Sequence, residues 1–371
     1  MNFIVSASAL LKKLQQIGGV INTNTVLPIL EDFLLETEGN LLYITATDLE
    51  TVMRVSLDVE SSVDGKICIP AKILIESLKN IPEQPLTINT DTNYSVEITS
   101  DNGKYKLMGE NPDNFPKEPE AEDAASLTIS GIGLVTAISK TLFATSSDDL
   151  RPAMTGVFFE LSKDKLQCVA TDAHRLTKYA RTDVTNTDET SFVVPKKPLN
   201  LLKSFVPNTT EALQLSYNKN HLFVSYGNSK LSCRLIDARF PDYKVVIPID
   251  NPYLLTVNKT DFQNALKRVN VFANKTTNLV AIKIQGNELT ITAQDVDFSH
   301  DGKETMKASY SGEDMAIAFN AKLLIEVVGA ADTDEIIFEL STPNKAGIIK
   351  PTEQAENEDL LMLVMPLMIN Y

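Results

Sequence analysis

The stretch ATDAHRL, residues 170–176, places Asp172, His174 and Arg175 almost side by side. A carboxylate, an imidazole and a guanidinium this close could serve general acid–base chemistry, with the cation steadying developing charge. Such chemistry also needs a nucleophile, a metal or a base held by a partner. The remaining sequence offers none of these. The three histidines, His174, His221 and His300, lack the spacing of a metal site. Neither a GxxxxGK(S/T) phosphate loop nor a GxSxG elbow occurs. The expectation is therefore no catalytic residue, no metal and no cofactor: not an enzyme.

Composition narrows the class. A chain of 371 residues is long enough for two or three domains, and 43% hydrophobic with 22% charged residues suits ordinary packed cores. No apolar run reaches the roughly 20 residues of a membrane helix, so no membrane partner is expected. The opening MNFIVSASALLKKLQQ has no basic region ahead of an apolar core and does not read as a secretion signal. Cys68, Cys168 and Cys233 lie far apart in strand-like runs, which predicts buried free thiols and a reducing, cytoplasmic setting. The net charge of −15 argues against nucleic acid unless positive charge is gathered locally.

The elements that must position residues 170–176 emerge when the chain is compared with itself. LYITATD (42–48), LQCVATD (166–172) and LTITAQD (289–295) share one pattern, and Asp48, Asp172 and Asp295 are 124 and 123 positions apart (172 − 48 and 295 − 172). CIPAKILIESLKNIP, VVPKKPLNLLKSFVP and AFNAKLLIEVVGAAD align through Pro70, Pro195 and Asn320, each 125 apart (195 − 70 and 320 − 195). Pro116 and Pro241 keep the same 125-residue offset (241 − 116). The chain is thus three copies of a unit large enough to be a domain: 1–122, 123–250 and 251–371.

Each copy reads as β-rich with two helices, an α+β class. Apolar positions at helical spacing mark the opening helices: Leu10, Leu11, Leu14 and Ile17; Leu134, Ile138 and Leu142; Phe262, Leu266 and Val269. Strand pairs follow, with Gly39-Asn40 as one turn. NFPKEPEAEDAAS and VIPIDNPYLLTV read as linkers. Asp172, with counterparts in every copy, reads as a residue that holds the turn after a strand. His174 corresponds to Glu50 and Asp297, so AHRL belongs to the central copy alone.

The helices also gather the positive charge. Segments 8–16, 131–143, 259–268, 71–80, 196–204 and 321–329 carry Lys12, Lys13, Lys140, Lys259, Lys267, Arg268, Lys72, Lys79, Lys196, Lys197, Lys203 and Lys322. Against these twelve stand only Glu76, Asp261 and Glu326, a local charge of +9, which leaves −24 for the rest (−15 − 9). Helical lysines often do no more than keep a surface soluble. The same bias in three matched copies predicts one shared phosphate-facing surface that does not read bases.

TDLE (47–50), ATDAHRLT (170–177), RFPDY (239–243) and VMP (364–366) resemble the bacterial DNA polymerase III beta subunit family, the replication sliding clamps. The likeness runs through essentially the whole chain. It implies a DNA clamp fold, with three repeated clamp-type domains of two helices packed on antiparallel sheets. It implies a homodimeric ring of six domains around duplex DNA, held without sequence preference, as a processivity factor in DNA replication. The partners so implied are the DNA polymerase III alpha subunit, the clamp loader complex, and other clamp-binding polymerases and repair proteins.

The same resemblance assigns residues. DNA contacts would come from the helix lysines and arginines named above, Lys259 excepted, with Arg151 added. A peptide-binding pocket would comprise Met154, Thr171, Ala173, His174, Arg175, Leu176, Pro241, Val246, Leu363, Met365 and Pro366. The dimer interface would join Tyr105 and Leu107 to Val271 and Phe272. By its residues alone, LLMLVMPLMI reads first as an ordinary closing core strand. Three departures stand out: Met368 in MPLMINY where better-known members carry arginine, Asn24 where some carry a basic residue, and acidic Asp148 and Asp149 beside Arg151. A repeat scaffold that binds only proteins is the competing reading, and it gives the basic helices no role.

Overall fold

The computed structural model describes residues 1–23, 25–207 and 209–368. Asn24 and the tail after Met368 lie outside the described residues. The described chain contains helices α1 (Ala7–Gly18), α2 (Ala71–Lys79), α3 (Gly131–Thr141), α4 (Lys196–Phe205), α5 (Lys259–Asn270) and α6 (Ala321–Gly329), two in each repeat. Antiparallel strands fill most of the remainder.

The helices form where the apolar spacing places them. α1 buries Leu10, Leu14 and Ile17, α5 buries Phe262, Leu266 and Val269, and α6 buries Leu324, Val327 and Val328. Side-chain caps start them: the Ser6 hydroxyl accepts from the Ala9 amide at 3.2 Å, and Asn320 Oδ1 accepts from Lys322 and Leu323 amides at 3.0 and 3.3 Å. The helix expected over 131–143 ends early. Thr141 donates its hydroxyl back to the Ala137 carbonyl at 2.7 Å, and the chain continues as a 3-10 turn, Leu142–Ala144.

Contacts divide the chain into two compact units. One is Met1–Val135 with Lys197–Leu235; the other is Thr136–Lys196 with the chain from Ile236 onward. The central repeat is therefore shared, because sheets run across repeat boundaries. In the first unit, Thr51–Asp58 of the first repeat pairs with Ser229–Arg234 of the central repeat, Thr51 facing Cys233 and Arg54 facing Lys230. In the second unit, Arg175–Arg181 of the central repeat pairs with Glu358–Val364 of the third, Arg175 facing Val364 and Leu176 facing Leu363.

Both expected linkers hold more structure than loops. Ala125–Ser130 is a strand, and Phe115 is buried against Ile29 and Cys68, pinning the first linker as a strap. Tyr253–Asn258, read as the end of the second linker, pairs with Glu335–Leu340 and turns Leu255 and Val257 inward. Its alternating pattern supports a strand, but proline at 248 and 252 masked it. All three cysteines are free and buried.

Candidate functional site

The turn at 171–175 is built as the repeat predicts. Asp172 Oδ1 accepts from the amides of His174 and Arg175 at 2.9 and 3.0 Å. Asp48 Oδ1 does the same for Glu50 and Thr51 at 3.1 and 2.7 Å, and Asp295 Oδ1 accepts from the Asp297 amide at 3.2 Å. Ala173 and Leu49 occupy matching positions with φ of 75° and 76°, a left-handed conformation held by these bonds in non-glycine residues. Asp172 is therefore a turn-holding residue.

Arg175 is 6% exposed. Its guanidinium donates to Asp172 Oδ2 at 3.0 Å, to the Phe143 carbonyl at 2.5 Å and to Glu326, and it lies 5.1 Å from the Phe143 ring centroid. A guanidinium satisfied on three sides supports the turn from below and does not present its charge at the surface. The sequence reading placed it in the pocket wall, and the structure buries it against the turn and Phe143. His174, in contrast, is exposed, and its carbonyl accepts from the Met365 amide at 2.8 Å.

The other proposed pocket residues fall in two layers. Leu176 and Leu363 are cross-strand partners in a buried cluster with Ala153, Val169, Val193, Phe240, Tyr243 and Ala346. Thr171 is also buried, its hydroxyl donating to the Arg175 carbonyl at 2.7 Å. Above this layer Ala173, His174, Pro241, Val246 and Met365 are exposed, and Met154 and Pro366 are half-buried. Val246 and Met365 are 50% and 41% exposed, large for aliphatic side chains next to a packed core. LLMLVMPLMI is thus a core strand through Val364, from which Met365 emerges.

Sequence reading missed Phe158, Tyr243 and Glu160. Phe158 stacks on Phe240 with centroids 4.7 Å apart, and the Tyr243 hydroxyl donates to Glu160 at 2.7 Å. The Tyr of RFPDY was the available signal. Burial and the Glu160 carboxylate push the Tyr243 hydroxyl well above the ordinary phenol range, so it stays a donor.

The basic residues also divide. Lys12, Lys72, Lys79, Lys196, Lys203, Lys267, Arg268 and Lys322 are exposed and Lys13 is half-buried. Arg268 forms a pair with Glu304 through Nε at 2.5 Å and Nη2 at 2.6 Å, Lys267 reaches Gln263 at 3.3 Å, and Arg151 reaches Asp148 at 2.8 Å. Lys140 and Lys197 are held more closely within the protein. Lys140 is 7% exposed, its ammonium held by Asp332 and the Ala330 carbonyl. Lys197 donates to Asp48 Oδ2 at 2.6 Å, the Val20 carbonyl at 2.5 Å and Asn22 at 2.9 Å. Their charge was counted with the phosphate-facing set, but the tertiary contacts make each a latch.

The proposed interface residues Tyr105, Val271 and Phe272 are 44%, 62% and 41% exposed, and Leu107 is half-buried. Tyr105 and Leu107 lie on Lys104–Met108, an edge strand, and Val271 and Phe272 follow α5. No cluster of three or more His, Cys, Asp or Glu capable of holding a metal occurs among the described residues. No helix among them is long and apolar enough to cross a membrane.

The three repeats match three domain models of one family in order: the N-terminal, central and C-terminal domains of the DNA polymerase III beta subunit, at residues 1–119, 128–242 and 244–368. Among curated relatives, the beta sliding clamp of Pseudomonas aeruginosa is 27% identical over 99% of this chain and 100% of its own length. That of Staphylococcus epidermidis is 25% identical over 99% of both. Among solved structures, the DnaN sliding clamp of Bartonella birtlesii bound to griselimycin superposes with a TM-score of 0.94 at 26% identity, covering both chains fully. The Thermotoga maritima beta subunit gives 0.90 at 26%, also over both full chains. Three repeats of two helices on antiparallel sheets, matched end to end and in order, place the chain in the DNA polymerase III beta subunit family, the non-catalytic sliding clamps of DNA replication.

Proposed function

We propose that two copies of this chain join head to tail into a ring of six repeats that encircles duplex DNA and tethers the polymerase to it. The observation that carries this reading is a pair of unmatched sheet edges. Within the chain, strands equivalent to Lys104–Met108 and to His300–Lys307 pair with each other across repeat boundaries, as Ser229–Arg234 does with Thr51–Asp58. Lys104–Met108 and His300–Lys307 themselves are both edges. A second copy supplies each edge with its missing partner and removes an aggregation-prone surface. Tyr105 and Leu107 then meet Val271 and Phe272, and Lys104 and Lys106 meet Asp301 and Glu304.

The domain boundaries we adopt are 1–122, 123–250 and 251–371. Lys12, Lys13, Lys72, Lys79, Lys196, Lys203, Lys267, Arg268 and Lys322 face the phosphates, with Arg151 beside them. Diffuse contacts of this kind hold DNA without fixing register, which suits sliding. Ala173, His174, Pro241, Val246, Met365, Met154 and Pro366 form the docking surface for extended peptides of the polymerase III alpha subunit, the clamp loader, and other polymerases and repair proteins. Flexible methionines suit a surface that accepts several sequences. The protein works in the cytoplasm.

The test is topological. The loaded protein should remain on a closed DNA circle and leave when the circle is cut, with a solution mass of two chains. Retention that ignores linearisation, or a stable single chain, overturns the ring.

A further inference from the structure

Asp32 carries a carboxyl group into the first unit with nothing to receive its charge. It is 3% exposed, and its Oδ2 is buried without a hydrogen-bond partner among the described residues. Burial first, then Glu110 and Glu31, raise its pKa to about 7.

The cover over Asp32 is the strap that runs on from the edge strand Lys104–Met108, residues 109–121. Asp32 pairs with Pro70 and Leu34 with Cys68, so Asp32, Leu34 and Cys68 share one face of the sheet. Phe115 of the strap lies on that face, buried with Cys68 and Ile29 against Leu34. The Glu110 amide donates to the Cys68 carbonyl at 2.9 Å, and the Cys68 amide donates to the Glu110 carbonyl at 3.3 Å. Between residues 112–121 and the strands beneath them lies a cavity of about 690 Å³.

The surrounding charges oppose an ionised Asp32. The strap bears Glu110, Asp113, Glu118 and Glu120 against Lys117, and Glu31 ends the turn Pro28–Glu31 just before Asp32. Lys66 and Arg54 both pair with Glu36, and Arg54 also reaches Glu118 at 3.6 Å. Lys230 and Lys72 are exposed.

The other repeats lack this arrangement. Gly156 stands at the position of Asp32 (156 − 32 = 124), opposite Pro195, where an added Cβ would collide with the Val194 carbonyl. Leu279 stands there in the third repeat, opposite Asn320. The strap of the second unit is also pinned by rings: Phe158 and Phe240 stack 4.7 Å apart, and Tyr243 donates to Glu160 at 2.7 Å. The first unit has Leu34 and Glu118 in place of Phe158 and Tyr243 (158 − 34 = 124 and 243 − 118 = 125).

We propose that Asp32 is a proton-controlled latch for the strap of the first unit. Protonated, its carboxyl group stays covered at no cost in charge. Ionised, it gains hydration and distance from Glu110 when the strap lifts, which favours the open form. A covered carboxyl group titrates at about 7 and a hydrated one near the ordinary 3.8, so opening grows across that interval and levels off above it. Gly109 joins the strap to Lys104–Met108, so lifting also frees one end of the strand that carries Tyr105 and Leu107.

Hydrogen–deuterium exchange of the full-length protein, read by mass spectrometry from pH 5 to 8.5 and corrected for the intrinsic pH dependence of amide exchange, measures the opening. Corrected exchange of residues 109–116 should rise about tenfold between pH 5 and 7 and then flatten. The matching bond of the second unit, from the Ile236 amide to the Val193 carbonyl at 2.9 Å, is the internal control and should show no rise. Asp32→Asn should remove the rise at 109–116. Glu110→Gln, exposed on the strap, should shrink it and serves if the asparagine variant does not fold. A corrected rate at 109–116 that ignores pH, an undiminished rise in either variant, or an equal rise at Ile236 overturns the proposal.

Discussion

Asp32 begins the strand Asp32–Glu38 opposite Pro70, and only 3% of its surface reaches solvent. Its Oδ2 has no hydrogen-bond partner among the described residues. Burial first, then the carboxylates of Glu110 and Glu31, push its pKa from 3.8 to about 7. A carboxyl group whose pKa is raised on folding binds protons more tightly in the native state, so its burden on stability grows as pH rises. Below 3.8 it is neutral whether folded or not and costs nothing as a charge. Between 3.8 and about 7 the penalty develops, and above 7 it is complete.

The span from 3.8 to about 7, at 1.36 kcal/mol per pH unit, sets a ceiling of about 4 kcal/mol. Glu110 and Glu31 are exposed, so solvent screens their share and roughly 2–3 kcal/mol is expected. Asp32→Asn keeps the shape and removes the charge. Urea unfolding of both proteins at intervals between pH 4.5 and 8.5 should show Asn stabilising by roughly 2–3 kcal/mol at pH 8. The gain should shrink steadily toward pH 4.5. Other carboxylates cancel in the difference. A gain independent of pH, or an asparagine variant less stable at pH 8, would refute the assignment of a buried unpaired carboxylate.

Arg175→Ala should destabilise the second unit by about 2–3 kcal/mol, because it removes the charged partner of the half-buried Asp172 carboxylate and of the Phe143 carbonyl, whereas Glu326→Gln, more exposed, should cost under about 1 kcal/mol; thermal unfolding compares them. Lys12→Glu with Lys13→Glu should weaken retention on circular DNA and lower the salt slope of binding by about 2, while Lys140→Gln leaves that slope unchanged because its ammonium already holds Asp332. Val246→Ser with Met365→Ser should weaken a labelled polymerase tail peptide by about tenfold in fluorescence anisotropy, without altering DNA retention. Phe272→Glu should shift sedimentation from two chains to one; an unshifted mass would remove α5's end from the interface.

The sequence by itself determined the repeat, the helices and the turn-holding aspartates. These depend on local periodicity and on residues kept at one offset, such as Asp48 and Asp172, and such patterns need no knowledge of distant contacts. It also separated the strand end ATD, echoed as ATD at 46–48 and AQD at 293–295, from AHRL, particular to the central copy. It could not assign the roles of single charges. Lys140 and Lys12 are alike in sequence, yet one reaches Asp332, 192 positions away, and the other reaches solvent. Arg175, read in the sequence as part of a pocket wall, meets acceptors on its own turn and on two distant segments, Asp172, Phe143 and Glu326. Local pattern fixes which elements form, because backbone bonding and amphipathic burial act over a few residues. Whether a charge is free or satisfied, and whether a volume is filled, depends on groups far apart in the chain, and only the folded structure brings those together.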